Sequence, residues 1–386
     1  MMRVLLIAFA ITAGGPAGTA AAQSRMEARD APAGIWTRAD GRIRFTAGRI
    51  SFPERPGGLA PTQFSETSSH GRGLDNSILF RSSDQDLLAT VYVYAPRLPH
   101  AGLSAYATDT FMRALPSLSP RRTGMRVTSA GGQENAAIRI DYANYRGNLA
   151  STAAFLKVDR WIVKLRVSGP ESRRADVERT MTALLEGLRF EGSVRARPPE
   201  MLDPGACPET SIPRATLHAS TEADTGSEAI TGTGLVESDE HARERDGAAL
   251  LTPRFGDRWC LSTQARFGEV SYPILRSLMP ADGERMRSVA VVPLSDAGRA
   301  MEVVEMPHRH RFVVFYHEIG KTELLGAFDS MPTDEQIANL ISGADRAGAR
   351  VRAVVEQAAD GNSTVTIIRP AGSIAPAPPA GERPTT

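Results

Sequence analysis

Lysine is rare in this sequence, and the net charge of the chain is close to zero. Lysine occurs only at Lys157, Lys164 and Lys321, so nearly every basic residue is arginine, a bias typical of a GC-rich bacterial gene. The formal net charge of the 386-residue chain is +1. Proteins that bind nucleic acid carry a clustered basic excess, which this composition does not show. The sequence therefore argues against a nucleic-acid partner.

Long apolar runs are lacking beyond the N-terminus. Arg3 precedes an apolar run from Val4 to Ala13, which is shorter than the roughly 20 residues that span a bilayer. Ala20 and Ala22 fit the small-x-small rule for signal-peptide cleavage. We expect residues 1–22 to be a signal peptide and the protein to be periplasmic or secreted. No transmembrane segment is expected after cleavage.

Cysteine occurs only at Cys207 and Cys260. In an oxidising compartment, two cysteines pair more often than they stay free. The sequence therefore predicts a disulfide bond between them, and two buried thiols are the alternative.

Signature motifs of catalysis are missing as well. The sequence contains no GxSxG nucleophile elbow, no P-loop, no GxGxxG dinucleotide fingerprint and no HExxH zinc signature. A serine nucleophile outside any motif remains open. We therefore name no catalytic residue, no cofactor, no cofactor-binding residue and no metal ligand, and we lean toward a protein that is not an enzyme.

A proline-rich stretch divides the chain. Residues 193–213 contain five prolines and show no hydrophobic periodicity. We predict a linker at 193–207 between a first domain at 34–192 and a second domain at 208–370. The Pro/Ala-rich end, 371–386, is expected to be disordered.

Alternating apolar residues predict an antiparallel sheet in the first domain. In residues 87–96, two valines face one side of a strand while Tyr92 and Tyr94 face the other. Apolar residues at helical spacing predict helices at 103–114 and 171–186. A sheet with one face covered by amphipathic helices is an α+β fold.

The second domain is predicted to end in the same pattern. Three strand-like runs precede a helix that Thr333 and Gln336 begin as a capping box. The runs are 299–306, 311–319 and 322–328. A short helix is predicted at 271–279. Because both domains end in strand-strand-strand-helix, we hypothesise a diverged tandem repeat, which different strand orders in the two halves would reject.

The first domain resembles the PsbP-like fold, named for an extrinsic subunit of photosystem II. The resemblance is carried by "GRISFPERPGG", by "LLATVYVYAP" followed by a helix, and by "FLKVDRWIVKLRVSGPESRRADVERTMTALLEGLRF". It covers about 150 residues and implies an α/β/α sandwich that acts in assembly or binding, usually without catalysis. The pattern has no site residues to transfer to this chain.

The stretch "MPHRHRFVVFYHEIG" places His308, His310 and His317 close together and raises the question of a metal site. If 311–319 is a strand, its length separates His317 from the other two, which fall in the preceding turn. Structural zinc sites use four protein ligands and catalytic ones three. We interpret the stretch as the corner of a β-hairpin in which His308 and His310 are exposed.

A long loop is predicted between Glu54 and Asp75, because the segment combines prolines and glycines with His70. Loops of this length are either disordered or functional, for example as a lid or a partner-binding loop. Tyr92, Tyr94 and His70 are the possible partner contacts. The alternative for the two tyrosines is cover by another element of the fold.

These features favour a non-enzymatic binding or envelope-assembly protein, whose partner is an unknown envelope protein or a small ligand. The alternatives are a hydrolase with its site in the cleft between the domains and a purely structural envelope protein. A pocket in which a serine or carboxylate lies within hydrogen-bond reach of a histidine would favour the hydrolase. A closed core with an exposed apolar patch would favour binding.

Overall fold

The structure, a computed structural model, describes most of the chain between residues 29 and 368. The described residues are 29–68, 73–115, 118, 120–209, 211–218, 221, 224–229, 259–267, 270–278, 287–295, 298–306, 309–342, 351–357 and 363–368. The expected signal peptide 1–22, the tail 371–386, His70 and His308 lie outside them. Expectations for those parts stay predictions.

Antiparallel strands dominate the described residues. The strands are β1 Arg29–Asp30, β2 Trp36–Ala39, β3 Arg42–Phe45, β4 Ile50–Pro53, β5 Ala60–Glu66, β6 Asp75–Arg81, β7 Leu88–Tyr94, β8 Arg121–Ala130, β9 Gln133–Tyr145, β10 Leu149–Val158, β11 Trp161–Pro170, β12 Arg189–Phe190, β13 Ala196–Arg197, β14 Leu217–His218, β15 Trp259–Phe267, β16 Val270–Ser277, β17 Arg287–Pro293, β18 Ala300–Met306, β19 Arg311–Glu318, β20 Lys321–Phe328, β21 Ala353–Gln357 and β22 Ser363–Ile367. The helices are α1 Ala101–Ala114, α2 Arg174–Gly187 and α3 Asp334–Ser342. Residues 224–229 are also helical.

The first sheet has the strand order β1-β5-β6-β7-β11-β10-β9-β8, and β13 pairs with β10. Helix α1 carries the chain from β7 to the far edge of the sheet, so that β11 returns beside β7. The central pair matches Val91 with Leu165 and Val93 with Val163. All four side chains are buried, as the predicted alternation requires.

One face of the first sheet packs against α2 and against a second, smaller sheet with the order β12-β4-β3-β2. Met181 and Leu184 of α2 lie in this core, because the apolar residues of the helix recur at spacings of three and four. Phe45 of the second sheet packs its ring edge-on against Trp161, with ring centroids 4.7 Å apart. This core is almost entirely apolar.

The other face of the first sheet packs against α1. Helix α1 begins at His100, whose Nδ1 accepts a hydrogen bond from the backbone N–H of Leu103 at 3.1 Å. Burial, with a smaller contribution from the charge of Lys157, lowers the pKa of His100 to about 3. The neutral ring therefore stays available as the helix cap at physiological pH. The helix ends at Ala114, close to the predicted end.

The third sheet is a plain meander from β15 to β22, and β14 pairs with β20. The predicted hairpins between β18, β19 and β20 are confirmed. The capping box is also confirmed, because Thr333 and Gln336 exchange backbone-to-side-chain hydrogen bonds of 3.1 and 3.2 Å. Ile337 and Leu340 of helix α3 pack against one face of this sheet.

The tandem-repeat hypothesis is wrong. The first sheet contains a crossover through α1, whereas the described strands of the third sheet follow one another in sequence order. The α+β class agrees with the structure in outline. The prediction that each sheet is covered by helices is not confirmed for the first sheet. There, a second, small sheet and α2 together cover one face.

Two local predictions are also wrong. The expected loop from Glu54 to Asp75 contains β5, whose pairing with β6 carries a register shift near Pro61. Proline and glycine hid this strand, because edge strands and bulges tolerate residues that central strands exclude. Within the stretch predicted as a short helix, residues 271–277 belong to β16, since pairing with β15 and β17 overrides a short ambiguous apolar run.

The predicted disulfide bond is confirmed. Cys207 and Cys260 form a disulfide bond with their Cα atoms 4.8 Å apart. Backbone hydrogen bonds between residues 205–207 and Leu261 lie beside the bond. The predicted linker 193–207 is therefore anchored to the third sheet at one end, while Ala196 and Arg197 pair with β10. Within the described residues, no helix is long and apolar enough to cross a membrane.

Candidate functional site

A group of polar side chains is buried on the face of the third sheet that is turned away from α3. Glu302 lies on β18, His317 lies at the end of β19, and Thr322 lies at the start of β20. The strand register sets His317 directly opposite both Ala300 and Thr322. The three polar residues are only 2 to 8 % exposed, so their hydrogen bonds have to be satisfied within the protein.

The three side chains form a continuous hydrogen-bonded array. The Nε2 atom of His317 lies 2.9 Å from Oε2 of Glu302, and its Nδ1 lies 3.0 Å from Oγ1 of Thr322. The hydroxyl of Ser288 on β17 donates to Oε1 of Glu302. Nε2–H donates to the carboxylate of Glu302, and Nδ1 shares a hydrogen bond with the Thr322 hydroxyl, whose direction depends on the tautomer of the ring. We call Ser288, Glu302, His317 and Thr322 the buried polar array.

The first part of the chain adds a positive charge to the array. Burial pushes the pKa of Glu302 upward, but hydrogen bonding and charge from His317, the Ser288 hydroxyl and the charge of Arg97 outweigh it. The net result is a pKa below the ordinary value. Arg97 is itself buried and follows β7 of the first sheet. The array therefore lies where the third sheet meets the first.

Close backbone packing supports this position. The turn between β19 and β20 contains Gly320 at φ 76°, and a Cβ atom there would lie 2.7 Å from the side chain of Leu74. Ile319 in the same turn belongs to the core of the first sheet. Gly298, before β18, approaches Pro96 so closely that a Cβ would lie 2.6 Å from its Cβ. Residues next to the array thus touch residues that flank β6 and β7 of the first sheet.

The order hydroxyl, imidazole, carboxylate is the order that activates a nucleophile in hydrolases. Here the hydroxyl belongs to Thr322, the imidazole to His317 and the carboxylate to Glu302. In such enzymes the nucleophile has to reach the substrate, whereas Thr322 is only 6 % exposed. In the described geometry the array can hold a charge and connect three strands, and it offers no exposed oxygen for attack.

Strand alternation placed His317 on the same face as Val313 and Phe315, but it predicted neither the burial of His317 nor its partners. A signal was present, since Glu302 and His317 both take inward positions on adjacent predicted strands. His310 lies exposed in the turn, as predicted, with φ 48°. Over the described ranges, no group of three or more His, Cys, Asp or Glu residues is placed to hold a metal.

The tyrosines proposed as partner contacts differ in exposure. Tyr94 is 1 % exposed and belongs to the core. The alternative prediction, that another element of the fold covers the tyrosine, therefore holds for Tyr94. Tyr92 is half-buried, and its ring centroid lies 5.4 Å from Nζ of Lys164. A partner contact by Tyr92 stays a prediction, as does one by His70.

A second buried carboxylate joins α1 to the first sheet. Oδ2 of Asp109 lies 2.9 Å from Nη2 of Arg113 and 2.9 Å from Nη1 of Arg122. Oδ1 accepts a hydrogen bond of 3.2 Å from the hydroxyl of Tyr142. Burial, with the nearby Asp109 charge, raises the pKa of Tyr142, so this hydroxyl remains a donor. The cluster holds the helix and strands β8 and β9 together.

Comparison with known proteins adds no family to this description. No protein-family model matches the chain, and no curated protein matches it.

Proposed function

We propose that this is a non-enzymatic binding or envelope-assembly protein that acts outside the cytoplasm. The observation that carries the proposal is the closure of the buried polar array. Glu302, His317 and Thr322 are the residues best suited to catalysis by their order, and all three are sealed between the sheets. A protein that uses such groups as an internal connection leaves its outer strands and loops for contact with partners.

The resemblance of residues 34–192 to the PsbP-like fold supports the same proposal, since it implies assembly or binding. The location is supported by the disulfide bond, because such bonds persist in oxidising compartments. We propose the periplasm or the exterior of the cell. Fractionation tests this part, and N-terminal sequencing of the mature protein is expected to start at Gln23.

Crosslinking in the native envelope tests the binding function. The tagged full chain is crosslinked in cells, purified under denaturing conditions, and its partners are identified by mass spectrometry. An unrelated periplasmic protein with the same tag and expression level serves as the control. We expect a partner that is enriched with this chain alone. Recovery of the same proteins with both baits would contradict the proposal.

A hydrolase is the second candidate, because Thr322, His317 and Glu302 lie in catalytic order between the two sheets. An esterase, protease and glycosidase panel with the wild-type chain and with T322V tests it. The threonine-to-valine change keeps the shape of the side chain and removes the hydroxyl. Turnover by the wild type that disappears in T322V, while the variant stays folded, would establish the hydrolase and overturn the binding function.

A further inference from the structure

The outer face of the second sheet carries several arginines. Phe45 and Phe52 belong to the core, so alternation along β3 and β4 places the preceding residues, Arg44 and Ser51, on the opposite face. The register sets Ser51 between Arg44 of β3 and Arg189 of β12, and residues that lie opposite each other share a face. Both arginines are exposed. A row across three neighbouring strands therefore has an exposed arginine at each end.

Arg42 lies two residues before Arg44, on the same face, and its guanidinium group is held in place. Its Nε donates to the hydroxyl of Ser51 at 3.0 Å. Its Nη2 donates to the carbonyl of Ser51 at 3.0 Å and to the carbonyl of Gly187 at 2.7 Å. Among the described residues, no group accepts from its Nη1. Because the guanidinium is already fixed, a ligand that binds to Nη1 causes little further loss of side-chain freedom.

Arg189 is held at the same end of α2. Its Nη1 donates to the carbonyls of Glu186 and Leu188, at 2.6 Å in both cases. Gly187, which accepts from Arg42, lies between these two residues. Three consecutive carbonyls therefore hold both guanidinium groups. The Nε and Nη2 atoms of Arg189 have no acceptor within the part of the chain that the structure describes.

The positive charge of this pair is only partly compensated. Over the described ranges, neither Arg42 nor Arg189 forms a salt bridge, and Glu191 pairs with Arg44 at 2.6 Å. The carbonyl end of a helix carries roughly half a negative charge, which balances only part of two full positive charges. Burial lowers the pKa of Arg42, the charge of Arg189 lowers it further, and the opposing effect of Glu191 is smaller. The two guanidinium groups are therefore close enough to repel each other.

We propose that Arg42 and Arg189 form a binding site for a phosphate group on the outer face of the second sheet. Arginine presents a planar fork of N–H donors that matches phosphate oxygens. A phosphate group has several oxygens, so that it can accept from the open edges of both guanidinium groups at once. A carboxylate has only two oxygens, which a single arginine fork already satisfies. The site therefore favours phosphate over carboxylate.

Two sources can supply such a group: free phosphate and the headgroup of an anionic phospholipid. Both present the same oxygens to Arg42 and Arg189, and they differ in whether the group belongs to a membrane surface. The site does not rest on the proposed function, because neither arginine belongs to the buried polar array.

Isothermal titration calorimetry of the full mature chain with inorganic phosphate measures the site, at an ionic strength held constant with sodium chloride. R189Q removes the charge and the fork at an exposed position. We expect it to weaken binding at least roughly tenfold, since charge-assisted hydrogen bonds are lost. R195Q is the matched control, because Nη1 of Arg195 makes the same kind of bonds, to the carbonyls of Gly192 and Val194. Arg195 precedes β13, which pairs with the first sheet, and R195Q should bind phosphate nearly as the wild type does.

Co-sedimentation with vesicles distinguishes the two sources. Vesicles of phosphatidylglycerol, which is anionic, are compared with vesicles of phosphatidylcholine, which carries no net charge. R42Q serves as a second variant, and circular dichroism with the thermal midpoint confirms that each variant is folded. Binding to phosphatidylglycerol that R189Q removes identifies a lipid headgroup, and calorimetric binding alone identifies free phosphate. A wild-type chain that binds neither probe overturns the proposal, as does binding that folded R189Q and R42Q retain or that R195Q loses equally.

Discussion

The first and third sheets each contain nine strands, yet they are connected in different ways. In the third sheet each strand from β15 to β22 pairs with the next in the chain. In the first sheet the central pair joins β7 to β11 after a helix and three further strands have intervened. Forming this pair requires closure of a long loop, which is slow and depends on contacts distant in sequence.

The two sheets also differ in what they bury. The main core of the first sheet lies between this sheet and the layer formed by α2 and the second sheet, and it consists of aromatic and aliphatic side chains. The third buries Glu302 and His317 on the face that meets the first sheet. Apolar packing tolerates moderate change, whereas a buried, hydrogen-bonded carboxylate depends on each of its partners. We therefore expect the third sheet to be the more fragile, and the following changes test this difference.

The largest effect is expected from loss of the disulfide. Cys207 and Cys260 are separated by 53 positions, and opening a loop of this size costs about 4 kcal/mol in the chain-entropy model. We expect C207S/C260S to lower the free energy of unfolding mainly of the third sheet. Urea titration followed by tryptophan fluorescence measures this, because Trp259 adjoins Cys260. Equal losses of stability in the first and third sheets would contradict the expectation that the third sheet is the more fragile.

The next largest effect is expected from H317A. Without His317, Glu302 remains buried with less compensation of its charge, and removal of one partner from a buried pair costs about 3 kcal/mol. T322V is the matched control, because it removes one neutral hydrogen bond from the same array and should cost about 1 kcal/mol. Urea midpoints give both values. Equal destabilisation by the two variants would show that the charge of Glu302 is not what matters.

The contact between Glu302 and His317 should make the stability of the protein depend on pH in the acid range. The pKa of Glu302 in the folded protein lies below its ordinary value of 4.5. Its contribution is therefore complete above that ordinary value and is lost as the pH falls through the lowered folded pKa. In urea titrations at decreasing pH, E302Q should show a flatter loss of stability than the wild type. Parallel curves would exclude this contribution.

A smaller effect is expected in the first sheet from D109A. The change leaves the buried hydroxyl of Tyr142 without its acceptor, which costs about 2 kcal/mol. R113A is the control, because its guanidinium is 50 % exposed and a surface ion pair contributes less than about 1 kcal/mol. Thermal unfolding of the two variants distinguishes them. A larger loss in R113A would mean that the ion pair, rather than the buried hydroxyl, holds α1.

The smallest effect is expected at the start of α3. T333A removes the hydroxyl that accepts from the Gln336 N–H, and loss of such a cap costs about 1 kcal/mol. T333S, which keeps the hydroxyl, should be close to the wild type. The urea midpoint is the measurement. An effect as large as that of H317A would show that the helix, rather than the array, limits the stability of the third sheet.

Local elements with strong signals could be predicted. The hairpins of β18 to β20, the start of α3 and the end of α1 follow from alternation, a capping box and a nearby proline. Strand β5 was missed because Pro61 and the neighbouring glycines are residues typical of loops. Strand β16 was missed because its apolar run fits either a helix or a strand. The candidate site was not predicted, because strand alternation gives the face that His317 shares with Val313 and Phe315 but shows neither which face is covered nor which partners lie across the strands.

By itself, the sequence determined the features that depend on near neighbours along the chain: the faces of the strands, the helix cap at Thr333 and the pairing of its only two cysteines. The tertiary structure alone decided that β11 lies beside β7, that Glu302 meets His317 and that the charge of Arg97 acts on Glu302. Side-chain periodicity is local. Which face becomes covered, and by which distant segment, is fixed only when loops close and the sheets pack together.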